Sequence, residues 1–172
     1  MLKTTGDLSS QQVDGLRAGD KVALTTQLLL IAPRPNCGPH PFDISLSTLV
    51  EARVCCLVTD RAQGGAEREW RIAPIDLPAI DRLACAVLAA GARACVGQGP
   101  CSAALSYALR KYQGLYFAVN ADWLRQIVGL HAMVALDAST GPIRCLPVDV
   151  RQIALTVAHD CQGRDLDNPG WS

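Results

Sequence analysis

An α/β domain with two β layers is the fold class that this sequence predicts, and three observations predict it. From residue 76 to 136, strand-like apolar runs alternate with helix-period stretches, the pattern of a right-handed β-α-β-α-β layer with a parallel sheet. The N-terminal half and the tail add further strand-like runs, which require a second β layer. Apolar residues make up 49% but aromatics only 5%, so the core is Ala, Leu, Val and Ile packing. At 172 residues the chain suits a single domain spanning 1–172, with no internal repeat and no clear linker between domains.

Ser9-Ser10-Gln11-Gln12 has the spacing of a capping box and opens a short helix through Leu16. Gly19-Asp20 turns into KVALTTQLLLIA, a strand. PRPNCGPHPFD follows, with four prolines in positions 33 to 41. No helix or inner strand tolerates that density, so it reads as an ordered turn or an exposed loop. ARVCCLV is a second buried strand whose adjacent Cys55 and Cys56 point to opposite faces, and DRAQGGAERE is a hairpin or linker.

Asp76 is expected to cap a helix whose Ile80, Leu83, Ala84, Val87 and Leu88 form one apolar face, with Gly91 ending it. RACVG is a strand. CSAALSYALRKY is a helix with Ala104, Leu105, Ala108 and Leu109 inward, stopped by Gly114. LYFAV is a strand, and Asp122 begins the helix DWLRQIVGL. HAMVALDA, IRCLPVDV and QIALTVAHD read as three closing strands, and Asp160-Cys161-Gln162-Gly163 as a turn.

The formal net charge is zero, without blocks of like charge, which argues against nucleic acid and anionic membrane surfaces as partners. No apolar stretch reaches the ~20 residues of a membrane span. The polar start MLKTTGDLSSQQ lacks the apolar core of a secretory signal, so a cytoplasmic chain is expected. None of the eight cysteines forms C-x-x-C and the three histidines are far apart. Buried thiols are therefore expected, with no metal site or cofactor in this chain.

Gly97-Gln98-Gly99-Pro100 joins a strand to a helix, and a Gly-rich turn at a helix start is suited to an anion. Gly97, Gln98, Gly99, Cys101 and Ser102 are the candidate substrate-binding residues. Gln98 offers a neutral amide rather than a cation, and Cys101, in the helix's first turn, would feel its dipole. In the proline-rich stretch, Arg34 can clamp a carboxylate and His40 can move a proton near neutral pH, while Cys37 is a possible nucleophile. Asp76 is a candidate base as well as a cap. His131 and His159 read as bonded histidines of the core or a sheet face.

Several segments, in order, resemble the β subunit, or C-terminal domain, of the iron–sulfur (class I) fumarases and L(+)-tartrate dehydratases. They are LRAGDKVAL (16–24), PFDI (41–44), APIDLPAID (73–81), GARACVGQGP (91–100), LYF (115–117) and VAHDCQGRDL (157–166). The resemblance implies a swivelling β/β/α fold that helps bind a small dicarboxylate, with a [4Fe–4S] cluster held by a partner α subunit or domain. Its Gly-Lys-Gly turn is here Gly97-Gln98-Gly99, and its threonines and arginine before Asp81 are absent. Those replacements favour a cluster-free lyase, isomerase or cyclase acting on a small carboxylic or carbonyl substrate. In that reading His40 or Asp76 moves the proton, Arg34 assists, and the chain is a homodimer. The alternatives are a true β subunit of a [4Fe–4S] hydro-lyase and a non-catalytic binding module.

Overall fold

The computed structural model describes residues 2–5, 8–33, 49–62, 68–120, 122–127 and 143–166. Its elements are β1 (Leu2–Thr5), α1 (Ser10–Gly15), β2 (Lys21–Pro33), β3 (Val54–Ala62), β4 (Arg68–Ile72) and α2 (Pro78–Ala89), then β5 (Ala94–Gly97), α3 (Ala103–Tyr112), β6 (Leu115–Ala118), α4 (Trp123–Ile127) and β7 (Ile143–His159). Helices and strands mix as the α/β reading requires. The proline-rich stretch beyond Pro33, with Arg34, Cys37 and His40, lies outside the described residues, as do HAMVALDA and His131.

The strands hydrogen-bond in the order β1-β2-β7-β6-β5-β3-β4, and β2 also pairs with β3. The pairings β2–β7–β6–β5–β3–β2 therefore close into a ring. β2, β3, β5 and β6 run parallel, and β7 runs antiparallel to both β2 and β6. β2 is long because one of its edges serves two neighbours. Lys21–Leu24 takes β1 and Leu28–Ile31 takes β3. The ends of DRAQGGAERE, 60–62 and 68–69, belong to β3 and β4, which pair antiparallel from Val58↔Ile72 to Ala62↔Arg68, while 63–67 lie outside the described residues.

Alternation along the strands sorts the apolar residues into two cores. Leu29, Ile31, Cys55, Leu57, Cys95 and Tyr116 face α2 and α3, meeting Ile80, Leu83, Val87, Leu105 and Leu109. Leu28, Leu30, Cys56, Val58, Val96 and Phe117 face the other way, toward α1, α4, Trp70 and the inner side of β7. Cys55 and Cys56 do point to opposite faces, and both are completely buried. A sheet with an apolar residue at nearly every position must be covered on both sides, and the helices and β7 cover it.

Four expectations about the elements need correction. Helix α2 starts at Pro78 with Leu77 as its N-cap, and no side chain caps it; Asp76 is exposed. Pro78 already has the helical φ and leaves no orphan N–H of its own at the first position, and the Ile80 N–H is taken by the Leu77 carbonyl at 2.9 Å. Helix α3 starts at Ala103, not Cys101, because Ser102 is the N-cap, and Ala104 is exposed while Leu105, Ala108 and Leu109 are buried. At the end of α3 the left-handed residue is Gln113 (φ 56°). Gly114 matters for packing instead, since a Cβ there would lie 2.6 Å from Leu88 Cδ2 and force that side chain to shift.

The last correction concerns IRCLPVDV and QIALTVAHD, which are one 17-residue strand, β7. Its register on β2 slips by one residue between Leu24↔Ile153 and Thr26↔Val150. Gln152 there has φ 51°, and its N–H donates to Thr25 Oγ1 at 3.1 Å. Such a bulge bends the strand and raises its twist, which lets β7 pair with β2 along its length and still reach β6. By contrast, the Ser9–Gln12 capping box is present as read, and Gly91, at φ 105°, follows the C-cap of α2.

Candidate functional site

Parallel strands present their carboxyl ends on one edge of a sheet, where ligands of open α/β folds usually bind. Here that edge carries the ends of β2 at Pro33, β5 at Gly97 and β6 at Ala118. The turn 98–102 leaves β5 there and enters α3.

The two glycines of the turn have different physical reasons. Gly97 is buried, and a Cβ on it would stand 3.1 Å from the Tyr116 hydroxyl. Its missing side chain is filled by the protein, not left for a ligand. The Tyr116 hydroxyl donates to the Gly99 carbonyl at 2.8 Å and fixes the turn from beneath. Gly99 adopts φ 91°, and a Cβ there would meet nothing within 4 Å. It is a left-handed hinge beside open space.

Gln98 is bound through its backbone on both sides. Its N–H donates to Ala73 O at 3.0 Å and its carbonyl accepts from Ile75 N–H at 2.9 Å. The backbone N–H of Gln98 is thus already taken, and only its side-chain amide is left to meet an anion. Its side chain is half-buried and makes no hydrogen bond to another described residue. The same bonds set the 73–77 segment against the turn, so exposed Asp76 shares its rim.

Ser102 links two helices. Its Oγ accepts the Leu105 N–H at 3.0 Å as the cap of α3, and it donates to Asp81 Oδ1 at 2.5 Å. Asp81 belongs to the first turn of α2 and so sits against the N-terminal end of α3, where a helix favours negative charge. The cap satisfies one amide of α3; those of Ala103 and Ala104 have no intrahelical acceptor. Asp81 is a residue of this rim that the sequence reading did not place at the site. Its only sequence signal was its survival in the APIDLPAID match, because Ser102 lies 21 positions away.

The thiols divide by depth. Burial pushes Cys55 up to about 12, against a smaller lowering by Arg53, and burial likewise raises Cys56 and Cys95 well above the ordinary thiol value. Half-buried Cys85 is pushed up to about 11, first by burial and then by the Asp81 charge. Thiols so protonated are packing groups at neutral pH. Cys101 is half-buried just before the N-cap. None of the seven described cysteines is in a disulfide. Among the described residues no group of three His, Cys, Asp or Glu is placed to hold a metal ion.

A second polar constellation lies at the end of β7. Asp160 is completely buried, and its carboxylate accepts from the N–H groups of Ala18 (3.2 Å), Gln162 (2.9 Å) and Arg164 (3.1 Å) and from Arg164 Nε (2.7 Å). Burial alone would raise its pKa. The bonds from Arg164, Ala18 and Gln162 outweigh it and hold the carboxyl below its ordinary value. Next to it, His159 is 2% exposed, bonded at Nδ1 to Asp160 O (3.0 Å) and at Nε2 to Ser106 Oγ (2.9 Å). The expectation of a bonded, buried histidine holds for His159.

Of the predicted site residues, the fold brings Gly97, Gln98, Gly99, Cys101, Ser102 and Asp76 to one rim. Arg34 and His40 fall outside the described residues. No helix among the described residues is long and apolar enough to cross a membrane. The fold and rim define an α/β domain with a polar strand-to-helix turn at the carboxyl edge of its parallel strands. No family model matches the chain, and no curated protein matches it.

Proposed function

We propose that the chain is a cluster-free lyase, isomerase or cyclase acting on a small carboxylic or carbonyl substrate at the 97–102 turn. The observation that carries this reading is the pairing of Asp81 with Ser102 beside a Gln98 side chain that has no partner among the described residues. A carboxylate and a hydroxyl thus stand together at the N-terminal end of α3, at the end of the turn that carries Gln98. The Gln98 amide and the α3 amides would hold a carboxylate or carbonyl oxygen. Asp81 would accept a proton from the neighbouring carbon, with the Ser102 hydroxyl fixing its orientation. Asp76, and Arg34 and His40 from the stretch after β2, are further candidates for the same rim.

The reading includes a fold of the swivelling β/β/α type, a relationship to the fumarase and tartrate dehydratase β domain, a homodimer and a cytoplasmic setting. It routes no step through a cluster. Thermal unfolding of the full chain against small carboxylic and carbonyl compounds tests it. A ligand at 100 times its Kd stabilises by about 2.7 kcal/mol, a rise in Tm of roughly 5–10 °C for a chain of this size. The rise is expected for wild type and lost in Gln98→Ala. No rise with any compound, or the same rise in the variant, removes the turn as the binding site.

A further inference from the structure

The hydrogen bonds around His159 have a direction that the sheet and helix alone do not require. The Asp160 carbonyl can only accept, so the hydrogen of a neutral His159 is on Nδ1 and Nε2 carries the lone pair. The bond at 2.9 Å therefore runs from the Ser106 hydroxyl to Nε2. A hydroxyl, an imidazole and a carbonyl in that order are a nucleophile, its base and the group that orients the base.

The surroundings make the arrangement rigid. The Asp160 carbonyl also accepts the Gly163 N–H at 3.1 Å, and the buried Asp160 carboxylate pins the same turn through four donors. The imidazole is shielded from water while Ser106 is half-buried, so the base lies behind the hydroxyl. A serine inside a helix can bond back to the carbonyl one turn earlier; the Ser106 hydroxyl instead reaches His159 on β7.

We propose that Ser106 is a second reactive centre, a serine nucleophile with His159 as base, that takes the acyl group of a small ester or thioester. Oγ attacks the acyl carbon and its proton passes to Nε2. The bond to the leaving oxygen or sulfur breaks, and Nε2 returns the proton to the departing alcohol or thiol. Water, activated by the same Nε2, then cleaves the acyl-serine, releasing the acid and restoring the hydroxyl.

The test is labelling of the full chain with an alkyl fluorophosphonate, followed by peptide mapping. An Oγ–P bond forms, the P–F bond breaks, and the proton leaves through Nε2 with fluoride. One adduct per chain is expected, on Ser106 and on no other serine, and it is absent in Ser106→Ala. In folded His159→Gln the labelling rate is expected to fall at least ~100-fold, the lower end of general base assistance. A wild-type chain without an adduct on Ser106, or a folded His159→Gln labelled as fast as wild type, overturns the proposal. The wild-type mapping decides it even if that variant does not fold. Because Ser102 and Gln98 take no part, failure here leaves the carboxylate reading of the turn standing.

Discussion

The two polar turns of this domain differ in how completely their groups are paired. At 160–164 one buried carboxylate gathers four donors from three residues and ties the end of β7 to the α1–β2 connection through Ala18. At 97–102 the backbone is fixed by Tyr116 and the 73–75 segment, yet the Gln98 side chain points to no partner among the described residues. A saturated turn holds the fold together; an unsaturated one has groups left for a ligand. Charge alone would have ranked them the other way, since Asp160 and Arg164 are the ion pair and Gln98 is neutral.

The sharpest break of that comparison is Asp160→Ala. It strands three backbone N–H groups, each costing about 1–3 kcal/mol when buried. The ion pair adds little, because Arg164 is 41% exposed. A loss of about 3 kcal/mol, or roughly 6–12 °C in Tm, is expected in thermal unfolding. The acid limb tests the same group. Its folded pKa is depressed, so its stabilisation is present above the unfolded carboxyl value near ~3.9 and fades as pH falls through the folded value. Asp160→Asn is expected to flatten that part of the stability–pH curve, which denaturant midpoints between neutral pH and strong acid would reveal.

A smaller effect is expected at the other turn. Gly99→Ala meets no neighbour, but its φ of 91° costs a side chain about 1–2 kcal/mol. Urea midpoints should show that loss, together with a weaker ligand response if the hinge shapes the rim. Gln98→Ala should cost least, within about 0.5 kcal/mol, while removing the ligand-induced rise in Tm. A large stability loss in Gln98→Ala would mean that its amide is structural, and the two turns would then differ only in degree.

The strand and helix positions from residue 76 to 120 were legible because period and punctuation agreed there. Apolar spacing, Gly91, and the short apolar runs each pointed to the same elements. The start of α2 was misplaced, since Asp76 reads as its cap while the helix begins at Pro78 with Leu77 as N-cap. The bulge at Gln152 left no mark in the sequence, since bending a strand depends on which neighbours it must reach. The rim was half legible. The turn stood out through its glycines, whereas Asp81 and Ser102, or Ser106 and His159, become partners only when two helices and a strand pack together.

The sequence by itself determined the α/β class, the two-faced strands, the burial of Cys55 and Cys56 on opposite faces and the Gly-rich turn, because those follow from local period and backbone preference. Only the tertiary structure decided that the strands close into a ring, that Gly97 accommodates Tyr116, and that Asp160 is a structural carboxylate. Those outcomes depend on contacts between residues up to 142 positions apart. Pairing at that range is set by which burial satisfies the most polar groups at once, a property of the assembled layers and of no single segment.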